Sequence, residues 1–307
     1  MVKRILDLTP AEMTHLTRDE LLFSLAGSEG RVLASETIGT ISPLLNDITN
    51  AEYAAAMGAD ILLLNMFDVR QPVIQALPKV APQDTVREVK RLTGRIVGIN
   101  LEPVDPAAVA DDDSVWKMSV GRYATVENAV LARDMGVDMI VLTGNPGNGV
   151  SNEAITASLR AISATVGNDM VLVAGKMHAS GVIFEGGENI ITKADIDQFV
   201  EAGADIILLP APGTVPGITT EYIRSLVSYA HSLNKLTITS IGTSQEGADV
   251  DTIRRIALEC KMTGTDIHHI GDSGYVGMAL PENIQAYGVA IRGIRHTHRR
   301  MAMSLAR

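Results

Sequence analysis

Four times along this chain a glycine, one further residue and an aspartate stand immediately before a short apolar run. The copies are Gly58-Ala59-Asp60 before Ile61-Leu62-Leu63-Leu64, Gly136-Val137-Asp138 before Met139-Ile140-Val141-Leu142, Gly203-Ala204-Asp205 before Ile206-Ile207-Leu208-Leu209, and Gly264-Thr265-Asp266 before Ile267-His268-His269-Ile270. Glycine adopts the left-handed C-cap conformation at little steric cost, so each copy reads as the close of a helix. The run behind it is β-rich and too short for a helix, and reads as a buried strand. One more strand candidate precedes each copy: Val32-Leu33-Ala34-Ser35, Val97-Gly98-Ile99-Asn100, Met170-Val171-Leu172-Val173 and Leu236-Thr237-Ile238-Thr239. Eight strands alternating with helices predict an α/β chain folded as a (β/α)8 TIM barrel, its strands centred near Leu33, Leu63, Val97, Val141, Val173, Ile207, Ile238 and His268. Closure is the arrangement that leaves eight buried parallel strands without exposed edges.

The 307 residues carry no visible linker, and a barrel of this kind commonly uses about 250 residues in one domain. We therefore expect one domain over 1–307, with 1–30 as an N-terminal helical cover and 31–307 as the barrel. Two capping boxes, Thr9-Pro10-Ala11-Glu12 and Thr17-Arg18-Asp19-Glu20, open the extra N-terminal helices and place them over the N-terminal mouth. A formal net charge of −10 argues against a grip on nucleic-acid backbones, which depends on accumulated Lys and Arg. The single Cys260, beside Leu258 in a helical run, suits a packed thiol in a reducing compartment. Apolar runs are strand-sized, and no apolar signal core follows Lys3-Arg4. The expectation is a soluble cytoplasmic protein with no membrane partner. The last helix carries Arg292, Arg295, His296, His298, Arg299 and Arg300, which read as a solvated face or as a contact with an acidic neighbouring subunit in a homo-oligomer.

Helix-to-strand turns are short, whereas several strand-to-helix loops are long and polar. In a barrel those loops share the C-terminal mouth, where active sites of this fold lie. Glu36 directly follows the first strand, and Glu102 lies two residues beyond Asn100. With the neutral oxygens of Asn65 and Asn100 they form an oxygen-rich set suited to Mg2+ or Mn2+. The alternative is a pair of solvated carboxylates, or partners of Lys176. Lys176 and His178 alternate after the fifth strand, so extended geometry points both the same way. They are candidate catalytic groups together with Asp272, the lysine as base or Schiff-base nucleophile and the imidazole as proton carrier. Gly242-Thr243-Ser244 and Gly271-Asp272-Ser273-Gly274 stand where this fold often cradles phosphate on backbone amides, although Asp272 would repel an anion. Gly144-Asn145-Pro146-Gly147-Asn148-Gly149 reads as a turn. Alternation sends one of His268 and His269 inward and the other towards the helices.

The stretch Asn50-Ala51-Glu52-Tyr53-Ala54-Ala55-Ala56-Met57-Gly58-Ala59-Asp60-Ile61, set between two strands, resembles the opening of the phosphoenolpyruvate mutase and isocitrate lyase superfamily. The resemblance covers the first quarter of the chain. It implies a barrel that binds Mg2+ and cleaves or rearranges bonds beside an α-oxo carboxylate. The superfamily's acidic pair after the third strand is matched in part by Asn100 and Glu102, and its Cys-containing loop has no match at Lys176 to His178. The leading reading is a metal-assisted lyase or isomerase acting on a small anionic metabolite, carboxylated or phosphorylated, without an organic cofactor. A Schiff-base aldolase through Lys176 and a ligand-binding barrel without turnover are the alternatives, since fold alone does not choose among them.

Overall fold

The computed structural model describes residues 3–104, 118–144, 150–178 and 186–307. Eight parallel strands close into a barrel in sequence order: β1 (Val32–Ile38), β2 (Ile61–Asn65), β3 (Ile96–Leu101), β4 (Met139–Leu142), β5 (Val171–Gly175), β6 (Ile206–Pro210), β7 (Leu236–Ile241) and β8 (Ile267–Ile270). The β1–β8 ladder, with Leu33 opposite His268, completes the ring. Helices α3 (Asn50–Ala56), α4 (Thr85–Thr93), α5 (Val126–Met135), α6 (Asn152–Val166), α7 (Lys193–Ala202), α8 (Thr220–Ser232), α9 (Val250–Thr263) and α10 (Pro281–Ala302) follow the strands in turn. Two short helices precede the ring, α1 (Pro10–Met13) and α2 (Arg18–Ala26), each opened by its expected capping box, on Thr9 and on Thr17. Several strands outrun their predicted ends. Glu36 lies inside β1 instead of after it, and β7 continues to Ile241.

Strand alternation divides the apolar side chains between two cores. Outward residues such as Leu62, Ile99, Leu172 and Ile207 pack under the helices. Inward residues such as Val32, Leu63, Val141, Val173 and Leu208 fill the barrel, together with Ile5, Leu8, Met13, Leu21 and Leu25 from the N-terminal segment. The first two helices therefore plug the N-terminal mouth, and the floor of the opposite mouth rests on a packed interior. Gly98 belongs to this interior for lack of room: a Cβ there would stand 2.5 Å from both Leu63 Cδ2 and Met139 Cγ.

The repeated aspartate has a physical role. Parallel strands leave the first N–H groups of each odd strand without a partner. The four Asp carboxylates accept them: Leu33 N–H donates to Asp60 (2.9 Å), Val97 N–H to Asp138 (2.9 Å), Leu172 N–H to Asp205 (3.0 Å) and Thr237 N–H to Asp266 (2.8 Å). In the first three copies the Asp N–H returns a bond to the carbonyl of the same residue, at 2.8–2.9 Å. The glycines two residues before take the left-handed conformation the repeat demands, with φ from 88° to 108°. Each carboxylate also meets a basic side chain: Arg292 and Arg300 at Asp60, Lys90 at Asp138, Arg18 at Asp205 and His231 at Asp266. This corrects the reading of the last helix's basic residues at two positions. Arg292 and Arg300 are buried on Asp60, because α10 breaks at Gly293 (φ 75°) and carries them across the base of β2.

Candidate active site

At the C-terminal ends of the strands the inward positions turn polar. Val32 and Ala34 are followed in phase by Glu36, Ile61 and Leu63 by Asn65, Ile96 and Gly98 by Asn100, Ile238 by Ser240, and Ile267 by His269. Their side chains join. Asn100 Nδ2 donates to Glu36 Oε1 (2.7 Å) and to Asn65 Oδ1 (3.1 Å), and Asn65 Nδ2 donates to Asp272 Oδ2 (2.7 Å). Below them His269 Nδ1 lies 2.5 Å from Ser240 Oγ, while its Nε2 lies 3.6 Å from Glu36 Oε2. His268 points outward, its ring nitrogens against the Tyr287 hydroxyl (3.2 Å) and the Gly30 carbonyl (3.1 Å).

This network forms one side of a pocket of about 230 Å3, lined there by Glu36, Asn65, Asn100, Glu246 and Asp272 and across it by Glu102, Arg122, Thr143 and His178. A larger groove of about 590 Å3 lies at the other end of the barrel, beside Arg87, Lys90 and Arg91. Those cations are already engaged with Asp84, Asp138 and Glu88. Fold and chemistry both favour the smaller pocket.

Burial holds the Glu36 carboxyl well above its ordinary value, and the charge of Asp272 adds to the effect against the Asn100 bond. Burial also raises Asp272, opposed by the bonds from Asn65 and from Gly274 N–H. Glu246 is raised by burial and by Asp272. His269 is pushed down to about 3 by burial, so it is neutral at physiological pH. An acid whose folded pKa is raised contributes stability that is complete below its unfolded value and is lost as pH rises through the folded one. The wild-type protein should therefore lose stability, relative to Glu36→Gln, as pH climbs above about 4.5. Paired thermal melts across the acid-to-neutral range measure this, and parallel pH curves for the two proteins would contradict it.

The structure distributes the sequence-derived candidates unevenly. Glu36, Asn65, Asn100, Glu102, His178, Gly242, Gly271 and Asp272 all line the pocket. The expected metal pair is split by chemistry: Glu102 is committed to an ion pair with Arg122, whereas Glu36 is held by Asn100. Among the described residues no three His, Cys, Asp or Glu side chains are placed to hold one ion. Lys176 is 2 % exposed and is not among the pocket-lining residues, because it is in phase with the outward Leu172 and Ala174, whereas Met177 is in phase with the inward Val171 and Val173. Met177 lines the pocket instead, its sulfur 3.5 Å from Ser240 Oγ. Burial lowers the pKa of His178, and the Lys176 charge lowers it further.

Several donors of the expected phosphate cradle are used internally. Ser273 N–H donates to Glu246 Oε1 (3.1 Å), Gly274 N–H to Asp272 Oδ1 (2.8 Å), and the Thr243 hydroxyl lies 2.7 Å from the Thr214 carbonyl. Ser244, at φ 77°, caps a short 3-10 turn, Gln245–Gly247. Gly242 and Gly271 make room for the chain's own atoms: a Cβ would stand 2.1 Å from Met177 Sδ at the first, and 2.7 Å from the Ile241 carbonyl oxygen and 3.3 Å from the Glu246 carboxylate at the second. Glu246, Arg122, Thr143, Ser240 and Met177 were missed as site residues. Thr143 and Ser240 were within reach, being in phase with Val141 and Ile238. Glu246 and Arg122 come from loops, where no periodicity marks them. Asn145 to Gly149, from the stretch read as a turn, lie outside the described residues.

Comparison with solved structures returns the same architecture. A structure of 2,3-dimethylmalate lyase, a member of the PEP mutase/isocitrate lyase superfamily, aligns at a TM-score of 0.50 with 13 % identity, over 86 % of this chain and 81 % of that one. A Burkholderia cenocepacia J2315 protein, named only provisionally as a phosphonomutase, aligns at 0.50 with 16 % identity over 84 % and 93 %. The Amycolatopsis orientalis BexX/CysO complex aligns at 0.50 with 15 % identity over 90 % and 92 %. These likenesses establish the barrel and its resemblance in fold to that superfamily. No curated protein matches the chain. Its sequence matches a family model over residues 6–307, and the chain belongs to that family, a domain of unknown function (DUF7916).

Proposed function

We propose that the chain is an enzyme of the lyase or isomerase kind, moving a proton on a small carboxylated metabolite in the strand-end pocket. The observation that carries this reading is Glu36: a buried carboxyl facing the pocket, fixed by Asn100 and set beside Asp272. Two carboxyls in one desolvated site do not ionise together, so one holds a proton while the other can accept one. Glu36 is the more deeply buried of the two, which makes it the proton donor. Asp272 has bonds from Asn65 and Gly274 N–H that stabilise its carboxylate, which makes it the acceptor. His178, kept neutral by burial, is a second carrier on the opposite wall. A divalent ion shared by Glu36 and Glu102 does not fit the Glu102–Arg122 ion pair, and no step is routed through one.

Proton exchange with solvent provides the test. The protein should catalyse wash-in of deuterium, or cleavage, with at least one member of a panel of small oxo-, hydroxy- and amino-carboxylates followed by proton NMR in D2O. Ligands that bind with neither exchange nor turnover would replace this reading with the ligand-binding barrel.

A further inference from the structure

Three polar side-chain atoms around the pocket are buried without a hydrogen-bond partner: Glu246 Oε2, Arg122 Nε and Thr143 Oγ1. Their residues are only 4 %, 8 % and 4 % exposed. Buried polar groups in native proteins are nearly always satisfied, and orphans on residues that line one cavity mark what its occupant supplies. Here they differ in kind and in place. Glu246 follows β7 and offers an acceptor, on the wall that also holds Asp272 and Glu36. Thr143 follows β4 and Arg122 belongs to the connection after β3, and they offer donors from the facing side of the eight-strand ring. Arg122 is the one arginine or lysine among the described residues that line the pocket, and its ion pair with Glu102 leaves Nε unused.

We infer that the pocket is built for a small amino-carboxylate, its ammonium received by Glu246 on the β7–β8 wall and its carboxylate by Thr143 and Arg122 on the β3–β4 wall. The inference rests on the same pocket as the proposed proton transfer and narrows its substrate class. An ammonium provides N–H donors for the orphaned Glu246 oxygen and offsets the accumulated negative charge beside it. A carboxylate provides acceptors for the hydroxyl and the guanidinium N–H. The volume of about 230 Å3 restricts the ligand to metabolites of a few carbons. Gly271 lies beside this wall: a Cβ there would stand 2.7 Å from the Ile241 carbonyl oxygen and 3.3 Å from the Glu246 carboxylate.

Equilibrium binding tests this without requiring turnover, so its failure is distinct from failure of the proton-transfer reading. Glycine, β-alanine, 4-aminobutyrate and 5-aminopentanoate are titrated calorimetrically against matched acids without the amine and matched amines without the acid. One chain length should bind at least about tenfold tighter than either of its truncated analogues, the scale of a lost hydrogen bond to a charged group. Glu246→Gln should abolish the advantage over the acid, and Thr143→Val should reduce the advantage over the amine. Asp251→Asn, on an exposed side chain of α9, should change neither. Glu246→Asp serves if the Gln variant melts early. Equal affinity for an amino-carboxylate and its amine-free acid, no binding by any member of the set, or Mn2+ binding that Glu246→Gln abolishes in the absence of amino-carboxylate binding would each overturn the inference.

Discussion

Replacement of Asp60 by asparagine is expected to lower the unfolding free energy by about 3–5 kcal/mol, the range for removing one partner of a buried ion pair. The carboxylate is fully buried between the guanidinium groups of Arg292 and Arg300. Arg95 lies close enough for its charge to act on the same carboxylate, with its own donors on the carbonyls of Ala55, Ala59, Thr93 and Arg300. Burial raises the Asp60 pKa, but the arginines outweigh it and leave the group below its ordinary value. Its contribution is therefore present above the unfolded pKa and lost as pH falls through the folded one. Asparagine keeps the shape and one acceptor while leaving the guanidinium charges uncompensated in a dry environment. The matched change at Asp266 meets only His231, whose side chain is 41 % exposed, and should cause a much smaller loss. Urea denaturation of the two variants at neutral pH provides the comparison. Similar losses would show that the aspartates act only through their strand N–H bonds.

Glu36→Gln is expected to reduce turnover by roughly 10²- to 10⁴-fold on any substrate found by deuterium exchange, the range typical of a lost general acid or base. Glutamine can still meet Asn100, but it has no proton to give. It also removes the electrostatic conflict with Asp272, so the variant should be at least as heat-stable as the wild type near neutral pH. A fall in kcat with unimpaired melting separates chemistry from folding. Activity retained within about tenfold would remove Glu36 from the proton-transfer role and move it to Asp272 or His178.

The barrel was legible because its signal is repeated: four Gly-x-Asp turns and eight apolar runs fix strand number and direction. Strand ends were less legible. Glu36 read as a loop residue because a charged side chain seemed to end an apolar run, whereas in a barrel the inward face becomes polar while the ladder continues. Asn65, Asn100 and Asp272 were found because they sit at strand ends. Glu246 and Arg122 reach the pocket through loop geometry, which depends on contacts distant in sequence. Gly242 and Gly271 show the limit of composition: glycine near a mouth signals lack of space, and the sequence does not say whether a ligand or the chain's own atoms take that space.

The four strand-base clamps share one backbone pattern but differ in counter-ion. A ring of four similar two-strand units has, by its main chain alone, several equivalent orientations relative to whatever covers its base. Arg18 from α2 answers only Asp205, and Arg292 and Arg300 from α10 answer only Asp60, while Lys90 and His231 come from the ring's own helices. The unlike charges act as an address: the N-terminal helices and the last helix each seat at one of the four units and at no other.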